Sequence, residues 1–312
     1  MENNGELAQL LDFRKDPPDE IVALAEAAKK RHAGVGAVIF YGSCMRNGRF
    51  DDGIADLYLL ADNYRRAYSS FLPAFLNRLL PPNVFYIEIP YMGRILRAKY
   101  AILTFEDFYR GASRWFHSYI WGRFAQPCGI VYRRSEKDEK EVLKSLAEAL
   151  VTFVRNAAPQ APEVFSARDL WQTGLGLSYS CEFRPENPDA LVRLFESAAD
   201  YYEKITGPAL KASGFCCEIS HDEETRYRIR IPAARRRVNS FAWNARRVQG
   251  KILSVLRLLK ALLTFENGIE YIFWKIERHS GVRIERNHDG SDPSLAALLT
   301  TLWKLLKKGA FR

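Results

Sequence analysis

Val38-Ile39-Phe40-Tyr41-Gly42-Ser43, answered after a polar excursion by Asp56-Leu57-Tyr58-Leu59-Leu60, is the stretch that decides the fold. The first run is β-type and apolar and stops abruptly at Gly-Ser. The second is again β-type and opens on a single acid. The expected unit is strand, turn, strand. Gly42 lets backbone approach a phosphate closely, Ser43 adds a hydroxyl and an amide, and Asp56 offers a carboxylate to a cation such as Mg2+. That order suits nucleotidyl transfer, where a metal neutralises charge as pyrophosphate departs. Taken alone, it is also the pattern of an ordinary turn followed by a solubilising acid.

Composition narrows the class. With 312 residues, 47% hydrophobic and 13% aromatic, the chain suits two globular domains, or one domain with an extension. Five cysteines in odd number, without a C-x-x-C, give neither a disulfide framework nor a zinc site. The residues before Pro18 carry Glu2, Glu6, Asp12 and Asp16 and no apolar segment, so they read as neither secretory signal nor transit peptide. No run approaches the roughly 18 apolar residues of a spanning helix. A bacterial cytoplasmic protein, peripheral on the inner face of the cell membrane, is the expectation.

Charge is unevenly spread. The net charge is +9, yet residues 226–312 hold 19 Lys and Arg against 6 Asp and Glu, while the first 225 hold 27 against 31. A polyanionic partner for the last third follows, either an anionic membrane or nucleic acid.

Along the chain, helical spacing after Pro17-Pro18 predicts a helix through about Arg31, and another around Tyr68–Leu80 despite Pro73. Strands fit Val84–Ile89 and Arg94–Thr104, so the first half reads as a mixed α/β sheet. Glu136–Arg155 is a helix, Ser166 with Asp169 opens another, and Pro188–Lys204 reads as one more. Glu224–Ile231 alternates arginine with apolar residues, as a solvated edge strand would. Between Arg246 and Phe265 a polar stripe of Arg247, Lys251, Ser254, Arg257 and Thr264 runs beside a broad apolar face that includes Ile252, Leu256 and Leu259. A last helix, capped by Asp292, ends in Lys304, Lys307, Lys308 and Arg312. Such basic amphipathic helices suit an anionic bilayer, and equally suit packing on a domain.

Several short motifs then occur in one order: Tyr41-Gly42-Ser43, Asp56, Lys99-Tyr100-Ala101-Ile102, Tyr119-Ile120-Trp121-Gly122-Arg123 to Pro127, Pro162-Glu163-Val164-Phe165, and Leu177-Ser178-Tyr179 with Glu182-Phe183-Arg184. The series resembles the mitochondrial-type phosphatidate cytidylyltransferases, the translocator assembly and maintenance family, over roughly Val38 to Tyr202. Gln249-Gly250-Lys251 and Tyr271–His279 resemble its C-terminal motifs more loosely. The resemblance implies a nucleotidyltransferase domain (1–157), a smaller winged-helix-like domain (158–235) and a basic amphipathic C-terminal region (236–312). It implies CTP and phosphatidate as substrates, giving CDP-diacylglycerol and pyrophosphate at a membrane surface, with Mg2+. Gly42 and Ser43 would then hold the β- and γ-phosphates, Asp56 the metal and Lys99 the phosphates, with Tyr100 nearby. Arg123 suits either the triphosphate or the lipid head group. Glu182 and Arg184 would close the cleft over the nucleotide.

Three departures stand out. Ile54 replaces the first acid of the D-x-D that nucleotidyltransferases carry, leaving Asp51, Asp52 or Glu88 to supply a second metal ligand. Gln126 stands where the family has Lys, and Cys181-Glu182 where it has Gly-Asp. The competing expectations are a nucleotidyltransferase with another phosphorylated lipid or small-molecule acceptor, and a non-catalytic nucleic-acid binder using Arg226–Lys260. A homo-oligomer is compatible with all three.

Overall fold

The computed structural model describes residues 7–8, 10–11, 17–48, 53–182, 187–221 and 224–264. Asp51, Asp52, Phe183, Arg184, Tyr271–His279, the helix expected from Asp292 and the side chains of Leu262, Leu263 and Thr264 lie outside the described residues.

Helix α1 (Asp19–Lys29) buries Ile21, Leu24, Ala25 and Ala28, the i, i+3, i+4, i+7 face of an amphipathic helix. Strand β1 (Val35–Tyr41) ends at Gly42, and the short α2 (Ser43–Asn47) follows directly. After β2 (Ala55–Ala61) come α3 (Tyr64–Ala67) and α4 (Phe71–Leu79). Pro73 falls in the first turn of α4, where a backbone N–H has no intrahelical acceptor, so the proline costs the helix no bond. β3 (Asn83–Tyr91) and β4 (Arg94–Thr104) form an antiparallel hairpin. α5 (Phe105–Ser113), the four-residue α6 (Trp121–Phe124), β5 (Gly129–Arg133) and the long α7 (Glu136–Ala157) complete the first half.

The five strands form one mixed sheet in the order β3-β4-β2-β1-β5, with β2 parallel to β4 and the other pairs antiparallel. Strand alternation sorts the side chains. Val38, Phe40, Leu57, Leu59, Tyr100 and Ile102 pack on one face with α1. Ala37, Ile39, Tyr58, Leu60, Ala101 and Leu103 pack on the other, with α5, α6 and α7.

Ser166 and Asp169 form the expected capping box at the start of α8 (Ala167–Tyr179), just after β6 (Val164–Ser166), worth about 1 kcal/mol for such a cap. The single helix expected over Pro188–Lys204 is two, α9 (Pro188–Glu196) and α10 (Ala199–Ala212). Ala198 leaves helical geometry at φ −151° and ψ 35° and parts them. β7 (Glu218–His221) and β8 (Thr225–Arg228) join β6 in a second sheet, order β6-β8-β7. The arginine-rich strand is therefore central rather than an edge. Its alternation is as expected, Tyr227 in and Arg226 and Arg228 out, but both its backbone edges are paired, and the arginines meet Glu224 and Glu218 instead of guarding an edge. The core beneath α7 runs without a break into this half through Phe165, Trp171, Tyr202 and Tyr227.

The last described element, α11 (Ala233–Thr264), spans 32 residues and begins well before the amphipathic stretch read from sequence. Its orientation is the main surprise. Trp243, Arg246 and Lys260 are buried, whereas Val238, Phe241, Val248, Ile252, Val255, Leu256, Leu258 and Leu259 are exposed. The inward polar groups donate to carbonyls and amides of other elements. Arg236 reaches Pro159 and Ala161 at 3.0 and 2.6 Å, and Arg246 reaches Phe116 O and Asn156 Oδ1 at 2.8 and 2.7 Å. Arg257 Nε donates to Pro81 O at 3.0 Å, and Lys260 Nζ to the carbonyls of Leu80 and Pro82. Gly250 is where α11 crosses the end of α8: a Cβ there would sit 2.3 Å from Cys181 O. Four cations of the Arg226–Lys260 stretch are thus committed to protein partners, which thins the positive surface available to a nucleic acid.

Candidate active site

The site grows from the β1–β2 junction. Gly42 adopts φ +89°, a left-handed value that disfavours side chains, and a Cβ there would lie 2.7 Å from Asp56 Oδ2. Glycine is demanded twice over, by backbone conformation and by the carboxylate pressed against it. Ser43 opens α2 from this point. Asp56 pairs with Tyr41 across the antiparallel ladder and with Lys99 across the parallel one. Lys99 Nζ stands 3.8 Å from Asp56 Oδ1. Burial pushes the Asp56 carboxyl up, against the opposing pull of Lys99, Arg123 and Arg46. A carboxylate whose charge burial disfavours is stabilised by positive charge, here supplied by Lys99, Arg123 and Arg46.

Arg123, on α6, reaches across the same face. Its Nη1 donates to Tyr58 OH at 3.1 Å and its Nη2 to Glu182 Oε1 at 3.0 Å. The guanidinium carbon lies 4.3 Å from the Tyr119 ring centroid, and Arg257 of α11 lies 4.1 Å from that centroid. Tyr119 thus stands against two cations. Burial acts to raise its phenol, but Arg123, Arg257 and hydrogen bonds involving Tyr58 and Arg123 together hold it below its ordinary value. Arg257, Glu182, Tyr119, Ser118 and Ser254 line a recess with His117, whose Nδ1 is buried without a hydrogen-bond partner among the described residues. Burial and then Arg257 drive that imidazole down to about 4, so it is neutral near pH 7.

Gly42, Asp56, Lys99, Arg123 and Glu182 are therefore brought together, with Ser43 at the head of α2. Tyr100 is not. Adjacent residues of a strand point to opposite faces, so with Lys99 on the Asp56 face Tyr100 lies in the other core, where its hydroxyl meets His32 Nε2 at 3.1 Å. Glu88 lies two residues along β3 from Tyr86, the partner of Lys99. Its carboxylate takes bonds from Arg97 Nε at 3.0 Å and Tyr86 OH at 2.5 Å. Among the described residues no group of three or more His, Cys, Asp or Glu could hold a metal. Gln126, in the lysine position, is buried; its Nε2 donates to Gly122 O at 3.2 Å and its Oε1 accepts from Tyr179 OH at 3.3 Å. A neutral amide suits that enclosure better than an ammonium.

The sequence reading missed Tyr58, Tyr119 and Arg257. Tyr58 was legible, since it shares the parity of Asp56 on β2. Arg257 was not, because only the fold of α11 brings it 4.1 Å from Tyr119.

A sequence model of the family described as phosphatidate cytidylyltransferase, mitochondrial, matches residues 65–240. The chain belongs to that family. Membership implies synthesis of CDP-diacylglycerol from phosphatidate and CTP. The mixed five-stranded sheet agrees with the nucleotidyltransferase-like fold expected of it. Gly42, Ser43 and Asp56 precede the matched span and Arg257 follows it, so their assignment rests on geometry. No curated protein matches the chain. No helix among the described residues is long and apolar enough to cross a membrane.

Proposed function

We propose that this family member transfers CMP from CTP to phosphatidate in a magnesium-dependent reaction at a membrane surface. The carrying observation is that Gly42, Asp56, Lys99 and Arg123 share one sheet face in a chain of this family. An oxygen of the phosphatidate phosphate attacks the α-phosphorus of CTP, the bond to the bridging oxygen breaks, and pyrophosphate leaves with the electron pair. The attacking phosphate is already ionised near neutral pH, so no side chain has to remove a proton. What remains is positioning and charge stabilisation.

Backbone at Gly42-Ser43 and the Lys99 ammonium would hold the β- and γ-phosphates. Arg123 and Arg257 would face the acceptor phosphate, for which a planar fork is suited. Glu182, which takes a hydrogen bond from Arg123, would accept from the nucleotide. Asp56 fits a magnesium ligand, since Mg2+ is usually held by one or two carboxylates with substrate oxygens and water completing the shell. When bound, the ion would supply neutralisation of the triphosphate charge.

The outward apolar face of α11 supports the membrane surface as the place of reaction. Exposed Phe241, Val248, Ile252 and Leu256 stand beside exposed Arg237 and Lys251, a composition suited to an anionic bilayer interface. Labelled CTP, Mg2+ and phosphatidate-containing vesicles should yield lipid-linked CMP with the unaltered protein and none with Asp56→Asn. Product formation by that variant at the normal rate would remove Asp56 from the proposal. CTP binding without transfer would redirect it to another phosphorylated acceptor.

A further inference from the structure

Helix α4 presents an apolar face that no other described element covers. Phe71, Leu72, Phe75 and Leu79 are 69, 53, 49 and 70% exposed, and the Phe71 and Phe75 rings stack at 5.8 Å. Residues 71, 75 and 79 follow the i, i+4, i+8 spacing of a single stripe. The other face of α4 is the one that holds it to the protein. Ala74 and Asn77 are buried, and Asn77 Nδ2 donates to Ile102 O and Tyr68 OH, both at 2.9 Å. The outward residues therefore contribute nothing visible to the core, and four large apolar side chains on nine residues are a costly surface to leave in water.

The position of this face indicates its occupant. α4 runs directly into Leu80-Pro81-Pro82, whose three carbonyls receive Lys260 and Arg257 of α11. The inward face of α11 is thereby fastened to the C-terminal end of α4. The same fastening sets the outward residues Ile252, Val255, Leu256 and Leu259 on a helix anchored beside Leu79. Two helices with outward apolar residues, about 180 residues apart in sequence, are joined at this loop, with Arg78 exposed in the last turn of α4. The acceptor of the proposed reaction carries two acyl chains and resides in a bilayer.

We propose that α4 is a second membrane-contact element, laying Phe71, Leu72, Phe75 and Leu79 into the same lipid surface as α11. The partner is a phospholipid bilayer; a second copy of this chain is the competing occupant. The inference rests on the membrane reading of α11 and extends it to a part of the fold outside the C-terminal helix.

The experiment compares the full chain with Phe71→Ser/Phe75→Ser/Leu79→Ser and with the apolar control Phe71→Leu/Phe75→Leu. Cosedimentation with phosphatidylcholine vesicles containing phosphatidate should show the serine variant binding about tenfold more weakly, because affinity scales with buried apolar area. The leucine control should bind as the unaltered protein does. Turnover of soluble dihexanoyl phosphatidate should be the same for all three, since these side chains are exposed and belong to neither core. Equal vesicle binding by the serine variant overturns the proposal. So does a dimer in sedimentation velocity without lipid that the serine substitutions dissociate, which would make the face an interface between copies. If the unaltered protein transfers CMP to neither substrate, the reaction is refuted while the vesicle comparison still decides the surface.

Discussion

Helices α7 and α11 are the two longest in the molecule's described residues, and they are built inside out with respect to each other. α7 buries Val142, Leu146, Leu150 and Phe153 and exposes Lys137, Lys140, Glu141 and Lys144. α11 turns Arg246, Arg257 and Lys260 toward the protein and Ile252, Leu256 and Leu259 away from it. The reason lies in what each helix meets. α7 meets the apolar face of a sheet. α11 meets loop carbonyls at Phe116, Pro159 and Leu80–Pro82, which need donors once covered, and arginine and lysine provide them on long apolar stems. An apolar stripe therefore tells which face prefers to leave water, but not whether protein or lipid receives it.

That contrast can be broken experimentally. Phe153→Ala on α7 should cost about 3–5 kcal/mol, read from urea melts, because the ring is fully buried and stacks on Trp171 at 4.7 Å. A much smaller loss would mean that α7 is not the pillar of this core. On α11, Arg257→Met keeps the stem and removes the head. It should cost about 1–3 kcal/mol by stranding the Pro81 carbonyl and should lower turnover on phosphatidate more than it lowers CTP binding. An increase in stability would show that α11 would rather bury carbon than charge.

The outward residues predict the opposite outcome. Ile252→Ser/Leu256→Ser/Leu259→Ser should leave the melt within about 0.5 kcal/mol while vesicle binding falls about tenfold. A large loss of stability would place these side chains in a core.

The subtlest test is pH. Burial, then Arg257, lower the Lys260 ammonium from 10.5 to about 7. The unfolded chain holds that proton up to a higher pH than the folded one does, so folding is penalised below pH 7. The penalty is relieved as pH rises from about 7 toward 10.5. Stability relative to Lys260→Met should therefore rise across that interval. A flat difference would mean that Lys260 is solvated and α11 less firmly seated.

Much of the fold was legible in the sequence. The β1 to β4 runs, α7 and the Ser166–Asp169 cap all follow from local periodicity and side-chain chemistry that act within a few residues. Gly42, Asp56, Lys99, Arg123 and Glu182 became companions through the order of the family's motifs rather than through local periodicity. The placement of Tyr100 failed because a motif was read as a string when strand parity sends its neighbours to opposite faces. The edge assignment of β8 failed for a different reason, since β7 is only its hairpin neighbour while the partner on its other edge, β6, lies far back in the chain.

What the amino-acid sequence by itself determined is most of the elements of the first half, the glycine turn between β1 and β2, and the family. Each depends on residues close together in the chain or on their order. Tertiary structure alone decided that Arg257 joins Arg123 at Tyr119, that β8 is central, and that α11 faces the protein with its charges. Those outcomes depend on which carbonyls and which strand edges meet a segment after the chain has folded back, and local periodicity carries no record of them.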